Sequence, residues 1–236
     1  MLAPNPGPMT LDGTNTYVLP GGIVVDPGPL SEEHLRAVLD QAGEVRLTLV
    51  THWHEDHTES LQRFSELAGC PVRAFDVGFC IDGPTLWDRE KIDGWTVLHV
   101  PGHTYDSVAF LREEDGVLLS GDTILGRGTA VITHPDGRLG WYLDSLRELK
   151  ELAENDRIRR ILPGHGPEIN DPLAVLTYYL QHREERLDQI RAARGAGART
   201  PREVVERVYA DVDPSLWPAA ELSVRAQLEY LSENGG

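Results

Sequence analysis

Four short apolar segments of this chain each break off at a turn that carries histidine or aspartate. Residues 47–50 run into Thr51-His52-Trp53-His54-Glu55-Asp56-His57, and residues 96–100 stop at Pro101-Gly102-His103-Thr104. Residues 117–119 stop at Ser120-Gly121-Asp122-Thr123, and residues 158–162 at Pro163-Gly164-His165-Gly166. Short apolar runs bounded by glycine and proline read as buried strands. Glycine lets the backbone bend sharply after each strand, so the polar side chain can point back over the sheet edge. Helical patterns alternate with these strands. Ser31 caps a helix with Leu35, Val38, Leu39 and Ala42 on its apolar face and Gly43 at its end. Leu61, Phe64, Leu67 and Ala68 mark a second helix, and residues 139–153 a third. Hairpins are expected at 16–25 and 108–119. The class implied is α/β.

The four turns concentrate metal-ligand chemistry. On a turn entering a helix, His-x-His-x-Asp-His can point two imidazoles one way and a carboxylate plus imidazole another, which suits two metal ions side by side. Five of the nine histidines fall in these turns. Seven ligands (His52, His54, Asp56, His57, His103, Asp122 and His165) are enough for two zinc-like ions of open coordination, with one carboxylate bridging and water in the remaining position. The set contains no cysteine, which argues against a closed structural zinc site. Two adjacent metals lower the pKa of a shared water and stabilise the oxyanion or phosphorane it creates.

The chain has 236 residues, enough for one large domain or an ordinary domain with a small appendix. No apolar run approaches the ~20 residues that a membrane span needs. The N-terminal residues lack the pattern of a secretory signal. Cys70 and Cys80 are too few for a disulfide scaffold and read as small buried hydrophobes. A cytoplasmic protein is the expectation. A net charge of −16 argues against a protein that works mainly by embracing nucleic acid.

Beyond residue 170 only helices are expected, so residues 1–170 are read as the catalytic domain and 171–236 as a helical module. Leu173, Leu176, Leu180, Leu187 and Ile190 form the stripe of a long helix. Thr200-Pro201-Arg202-Glu203 is a capping box that starts another, and Leu222, Ala226, Leu228 and Leu231 mark the last. The mixed charge of the last helices favours packing against the catalytic domain, or a homodimer contact, over DNA binding.

THWHEDH, PGHT, SGDT and PGHG, in that order, resemble the metallo-β-lactamase superfamily. The resemblance implies an αββα sandwich with a metal site at one edge of its two sheets. It implies that His52, His54 and His103 hold one metal, that Asp56, His57 and His165 hold a second, and that Asp122 bridges. GTNTY at 13–17, VDPG at 25–28, GDTILGRGT at 121–129 and YYLQHREERLDQI at 178–190 are similar to the β-lactamase-like protein 2 group. Residues 208–231 resemble that group's C-terminal winged-helix-like module, although no room for a β wing follows the last helix. Glu59-Ser60 departs from the small residues common in relatives. The superfamily includes glyoxalase II-like thioesterases, and the group a metal-dependent single-strand endoribonuclease.

The expected function is therefore dinuclear metal-dependent hydrolysis by a metal-bridging hydroxide, with two divalent ions (zinc, or else iron or manganese) and an ester or thioester substrate. Single-stranded RNA is the alternative substrate, and a metal-sensing module for nucleic acid or protein is a third reading. Asp56 is assigned both ligation and the general-base role. Trp53, Tyr105 and Arg127 flank the ligand turns and are candidate substrate contacts, Arg127 as the anion contact. Asp26 reads equally as a carboxylate that fixes a ligand loop and as a turn residue. His34 and His182 read as structural.

Overall fold

The computed structural model describes residues 1–235. Its strands form two sheets. The first has the order β1 (Tyr17–Leu19), β2 (Ile23–Val25), β3 (Leu47–Leu49) and β4 (Val72–Arg73). The second has the order β5 (Lys91–Ile92), β6 (Trp95–His99), β7 (Val108–Arg112), β8 (Val117–Gly121) and β9 (Arg160–Pro163). In the first, β1 is antiparallel to β2 and the β2–β3 and β3–β4 pairs are parallel. In the second, only β8–β9 is parallel.

Two-residue alternation sorts the side chains into layers. Ile23, Val25 and Leu49 of the first sheet meet Trp95, Val97, Phe110 and Leu119 of the second in one apolar core. Val24 points the other way, onto Leu35, Val38 and Phe64 of helices α1 (Glu32–Ala42) and α3 (Leu61–Ala68). A short helix, α2 (Glu55–Thr58), precedes α3. Leu98, Ala109, Leu111 and Leu118 face outward from the second sheet, onto Tyr142, Leu146 and Leu149 of α4 (Leu139–Glu154). The stack is helix, sheet, sheet, helix: the αββα sandwich.

Local signals end the helices where expected. Ser31 Oγ accepts from the His34 amide at the start of α1, and Gly43 at φ 69° closes it. Three helices follow β9: α5 (Pro172–Gly195), α6 (Pro201–Val208) and α7 (Trp217–Glu233). Asp171 caps α5, and the Thr200–Glu203 capping box opens α6. The core beneath α4 continues into these helices through Leu176, Tyr179, Leu187, Val204, Val224 and Leu231. Among the described residues no strand follows β9, and no helix is long and apolar enough to cross a membrane.

The inward face of α5 differs from the expected leucine stripe. Leu173 is exposed, whereas Tyr179 and Arg183 are buried. Leu222 of α7 is likewise exposed, and Val224 takes the inward position. Helical period identifies a set of faces; which face is covered depends on the neighbouring elements. Strands β4 and β5 have two residues each, too few to carry a periodic signal.

Candidate metal centre

All seven candidate ligands come together at one edge of the sandwich, just past the C-terminal ends of β3, β6, β8 and β9. They form two groups whose ligand atoms lie within 4.8 Å of one another: His52, His54, His103 and Asp122, and Asp56, His57 and His165. Asp122 also spans the two groups. Its Oδ1 is 3.5 Å from His57 Nε2, and its Oδ2 is 3.3 Å from His165 Nε2 and 3.8 Å from His103 Nε2.

The outer nitrogens of four rings are tied to the protein. His57 Nδ1 donates to Asp26 Oδ2 at 2.8 Å, His103 Nδ1 to the Val131 carbonyl at 2.8 Å and His165 Nδ1 to the Gly13 carbonyl at 3.1 Å. Thr51 Oγ1 donates to Asp26 Oδ2 at 2.7 Å, which leaves the hydroxyl oxygen to accept from His52 Nδ1 at 3.0 Å. On a neutral ring each anchor directs the Nε2 lone pair inward. These nitrogens converge: His52 Nε2 and His103 Nε2 are each 3.0 Å from His54 Nδ1, and His57 Nε2 is 3.3 Å from His165 Nε2. Ring nitrogens packed this closely need either shared protons or a cation among them. Asp122 Oδ1 is buried without a hydrogen-bond partner. Both observations fit the binding of divalent metal, for which the donor set here is all imidazole and carboxylate.

The electrostatics divide the rings. Burial lowers His52 well below the ordinary imidazole range, lowers His103 and brings His54 to about 4, aided by the charge of neighbouring imidazoles. Burial also opposes charge on His57, yet Asp26, Asp56 and Asp122 together raise it well above its ordinary value. His165 is raised against burial to about 9 by Asp122 and Asp56. Asp56 and Asp122 are lowered despite burial, chiefly by His57.

Close backbone approach makes room for the cluster. Gly121 has φ 48°, and a Cβ there would sit 2.7 Å from Thr51 Cβ. A Cβ on Gly164 would lie 2.4 Å from Asp122 Oδ1 and 2.9 Å from His57 Cε1.

Asp26 fixes a ligand loop. Buried and held at φ 50°, it accepts from the Thr51 amide at 2.8 Å as well as from Thr51 Oγ1 and His57. The GTNTY run of 13–17 is a second support whose role its spacing does not reveal. Thr14 Oγ1 donates to Asp56 Oδ2 at 3.1 Å. Asn15 Nδ2 donates to the carbonyls of Pro163 and Gly166, and Tyr17 Oη to that of Pro163. Asp106 is a third. Buried beneath Thr104, it accepts from Thr104 Oγ1 at 2.7 Å and from the Trp53 amide, and so links the His103 turn to the His52 loop.

The candidate substrate contacts are more dispersed. The Trp53 ring meets His54 edge-on at 4.7 Å, and its Nε1 donates to Asp136 at 2.9 Å. Exposed Tyr105 lines an open groove with Phe75, His99 and Trp141. Arg127 is exposed, beside the His165 turn, and faces Asp12 at 3.4 Å. His34 is structural, bonded to Thr16 Oγ1 at 2.9 Å. Cys70 is buried and Cys80 partly so, both as free thiols.

Residues 82–165 match the metallo-beta-lactamase superfamily, and residues 200–235 match the beta-lactamase associated winged helix domain. The chain is similar to a beta-lactamase-like protein 2 homolog of Drosophila melanogaster, with 35% identity over all of this chain and 87% of the relative. It is also similar to the lactamase-like protein adaB of Aspergillus niger, with 32% identity over 99% of this chain and 80% of the relative. Among solved structures, a metallo-beta-lactamase family protein from Thermus thermophilus shares the fold at TM-score 0.81 and 24% identity, covering 99% of this chain and 92% of its own. The protein TTHA1623, solved in a di-iron-bound form, matches at TM-score 0.58 and 28% identity over 71% of this chain and 93% of its own. With a relative at 35% identity over the whole of this sequence, and with its ligand turns gathered at the sheet edge, the chain belongs to the metallo-β-lactamase superfamily of hydrolases.

Proposed function

We propose that the chain is a dinuclear metal-dependent hydrolase acting on an ester or thioester. The convergence of five imidazoles and two carboxylates from four separate turns into two ligand groups carries this reading. His52, His54 and His103 would hold one ion, Asp56, His57 and His165 the other, and Asp122 would contact both. Two divalent ions held there would lower the pKa of water and offset negative charge developing on the electrophile.

The protein's own groups do the rest. Asp26, Val131 and Gly13 keep His57, His103 and His165 in the tautomer that faces inward. Thr14 occupies a lone pair of Asp56 Oδ2 and so turns the carboxylate toward the cluster. Asp56 is both a ligand and the base that takes a proton from the attacking water. Trp53 lies against His54 and would border the approach to the cluster, Tyr105 would contact a longer substrate from a groove that holds none of the seven cluster residues, and Arg127 would be the contact for an anionic part of the substrate. Residues 1–170 would form the catalytic unit and 171–236 a helical module that covers α4.

The net charge of −16 weighs against RNA as substrate. Zinc is the proposed metal, and the di-iron form of TTHA1623 makes iron the alternative loading to test. The test is elemental analysis of the purified protein, followed by turnover of an ester and thioester panel and of end-labelled single-stranded RNA. Asp56→Asn is the control for contaminating activity. Two zinc per chain with ester or thioester turnover lost in the variant is the expected result. Cleavage of RNA alone, lost in the same variant, would overturn the substrate class, and one iron per chain would overturn the dinuclear zinc assignment.

A further inference from the structure

A cavity of about 250 Å³ lies between α5, the first turns of α7 with the segment joining it to α6, and residues 8–9 and 129–131. It holds none of the seven cluster residues. His182, Arg183 and Arg186 line it from one helix, and no aspartate or glutamate does. In a chain of net charge −16 such a wall is a local reversal of sign.

Two of these three groups are incompletely partnered; Arg186 donates from Nη1 to Gln189 Oε1 at 2.8 Å and to the Val208 carbonyl at 3.4 Å and lies over the Tyr209 ring at 4.4 Å. Arg183 is 4% exposed, lies over the Tyr142 ring at 5.0 Å and donates from Nη2 to the Ala130 carbonyl. Its Nε is buried without a partner, and so is His182 Nδ1. Burial, with the charges of Arg183 and Arg186, brings His182 down to about 4, so near pH 7 its ring is neutral and Nδ1 donates in one of its two tautomers. Arg183 Nε is always a donor, and folded proteins leave few buried donors without an acceptor. The rest of the wall is largely apolar, with Met9, Val131, Val212 and Ala220.

We propose that this cavity is an anion subsite, in which His182, Arg183 and Arg186 receive a carboxylate or phosphate and the apolar wall receives the segment attached to it. Guanidinium groups suit such anions because their donors lie in one plane. The subsite is coupled to the metal cluster through two consecutive carbonyls. That of Ala130 accepts from Arg183, and that of Val131 accepts from His103 Nδ1 at 2.8 Å. The assignment stands apart from the hydrolytic reading above.

The test is calorimetric titration of the full chain with inorganic phosphate and, separately, with octanoate. The proteins compared are metal-loaded wild type, Arg186→Gln and Arg183→Lys, and His54→Ala, whose metal cluster is impaired. Arg186 is half-buried, and circular dichroism checks that its variant is folded, so it tests the subsite even if Arg183→Lys does not fold. Saturable binding of at least one probe is expected in wild type and in His54→Ala. It should weaken about tenfold in Arg186→Gln, the size of one lost charge-assisted contact. Tighter phosphate than octanoate supports a small free anion as the ligand, and tighter octanoate supports the anionic end of a longer molecule. Binding that vanishes in His54→Ala would place the anion at the metal cluster and overturn the proposal. So would binding unchanged in Arg186→Gln, or no saturable binding of either probe.

Discussion

Asp26 and His57 lie 31 positions apart and meet at 2.8 Å, Oδ2 to Nδ1, with both side chains buried. The same carboxylate takes the amide and hydroxyl of Thr51. One residue thus orients His57 directly and His52 through Thr51. Removing a carboxylate that orients a ligating imidazole typically costs about 10–100-fold in metal affinity. Asp26→Ala is expected to lose metal on that scale, with Asp26→Asn intermediate. Competition with a chromophoric chelator measures it, and wild-type affinity in Asp26→Ala would contradict the role.

Gly164 allows β9 to pass against Asp122. A methyl group there would lie 2.4 Å from Oδ1, well inside contact distance. Gly164→Ala should displace Asp122 or His57 and cost about 1–3 kcal/mol of stability. Urea unfolding and metal content should fall together. A stable, fully loaded variant would show that the two turns have slack.

Asp106 has its carboxyl raised to about 6, by burial above all, against the donors that favour its ionised form. The folded value lies above the unfolded one, near ~3.9. The protonated group is therefore favoured in the fold, and its stabilising contribution, present below about pH 4, is lost as pH rises through about 6. Asp106→Asn mimics the neutral form. It should be more stable than wild type by roughly 2 kcal/mol at pH 7.5, and the gap should close near pH 4. Denaturation curves across that range check the sign; a gap that widens toward acid would refute it.

Stripping the metal should lower the melting temperature. Ligand present at ~1,000 times its dissociation constant stabilises by about 4 kcal/mol. In a chain of this size each kcal/mol shifts the midpoint by roughly 2–4 °C. A fall of roughly 10 °C after chelation, reversed by zinc, is expected in scanning calorimetry. His54→Ala should start from the lower midpoint and respond less to chelation.

Much of the site was legible because its chemistry is local. A strand that ends in a glycine turn with histidine or aspartate needs only a few neighbouring residues to be recognised, and all four such endings hold. The caps at Ser31 and Thr200 are legible for the same reason, since each is a bond over three residues. The supports were not. Thr14 reaches Asp56 across 42 positions, and Asn15 reaches Gly166 across 151. Nothing in their spacing distinguishes them from turn residues.

Residue order alone thus determined most of the element types, the α/β class and the inventory of donors, while the layering came from the family resemblance. Burial and partner choice waited on the assembled layers, because they depend on which surfaces meet. Arg183 illustrates the division. Its helix was evident from pattern, but its place in the interior follows from the Tyr142 ring and the Ala130 carbonyl, which offer a long cation a partner away from water. Asp26 illustrates it again. Its turn, Asp-Pro-Gly, was readable, yet its choice between turn and support was made only when Thr51 and His57 were folded against it.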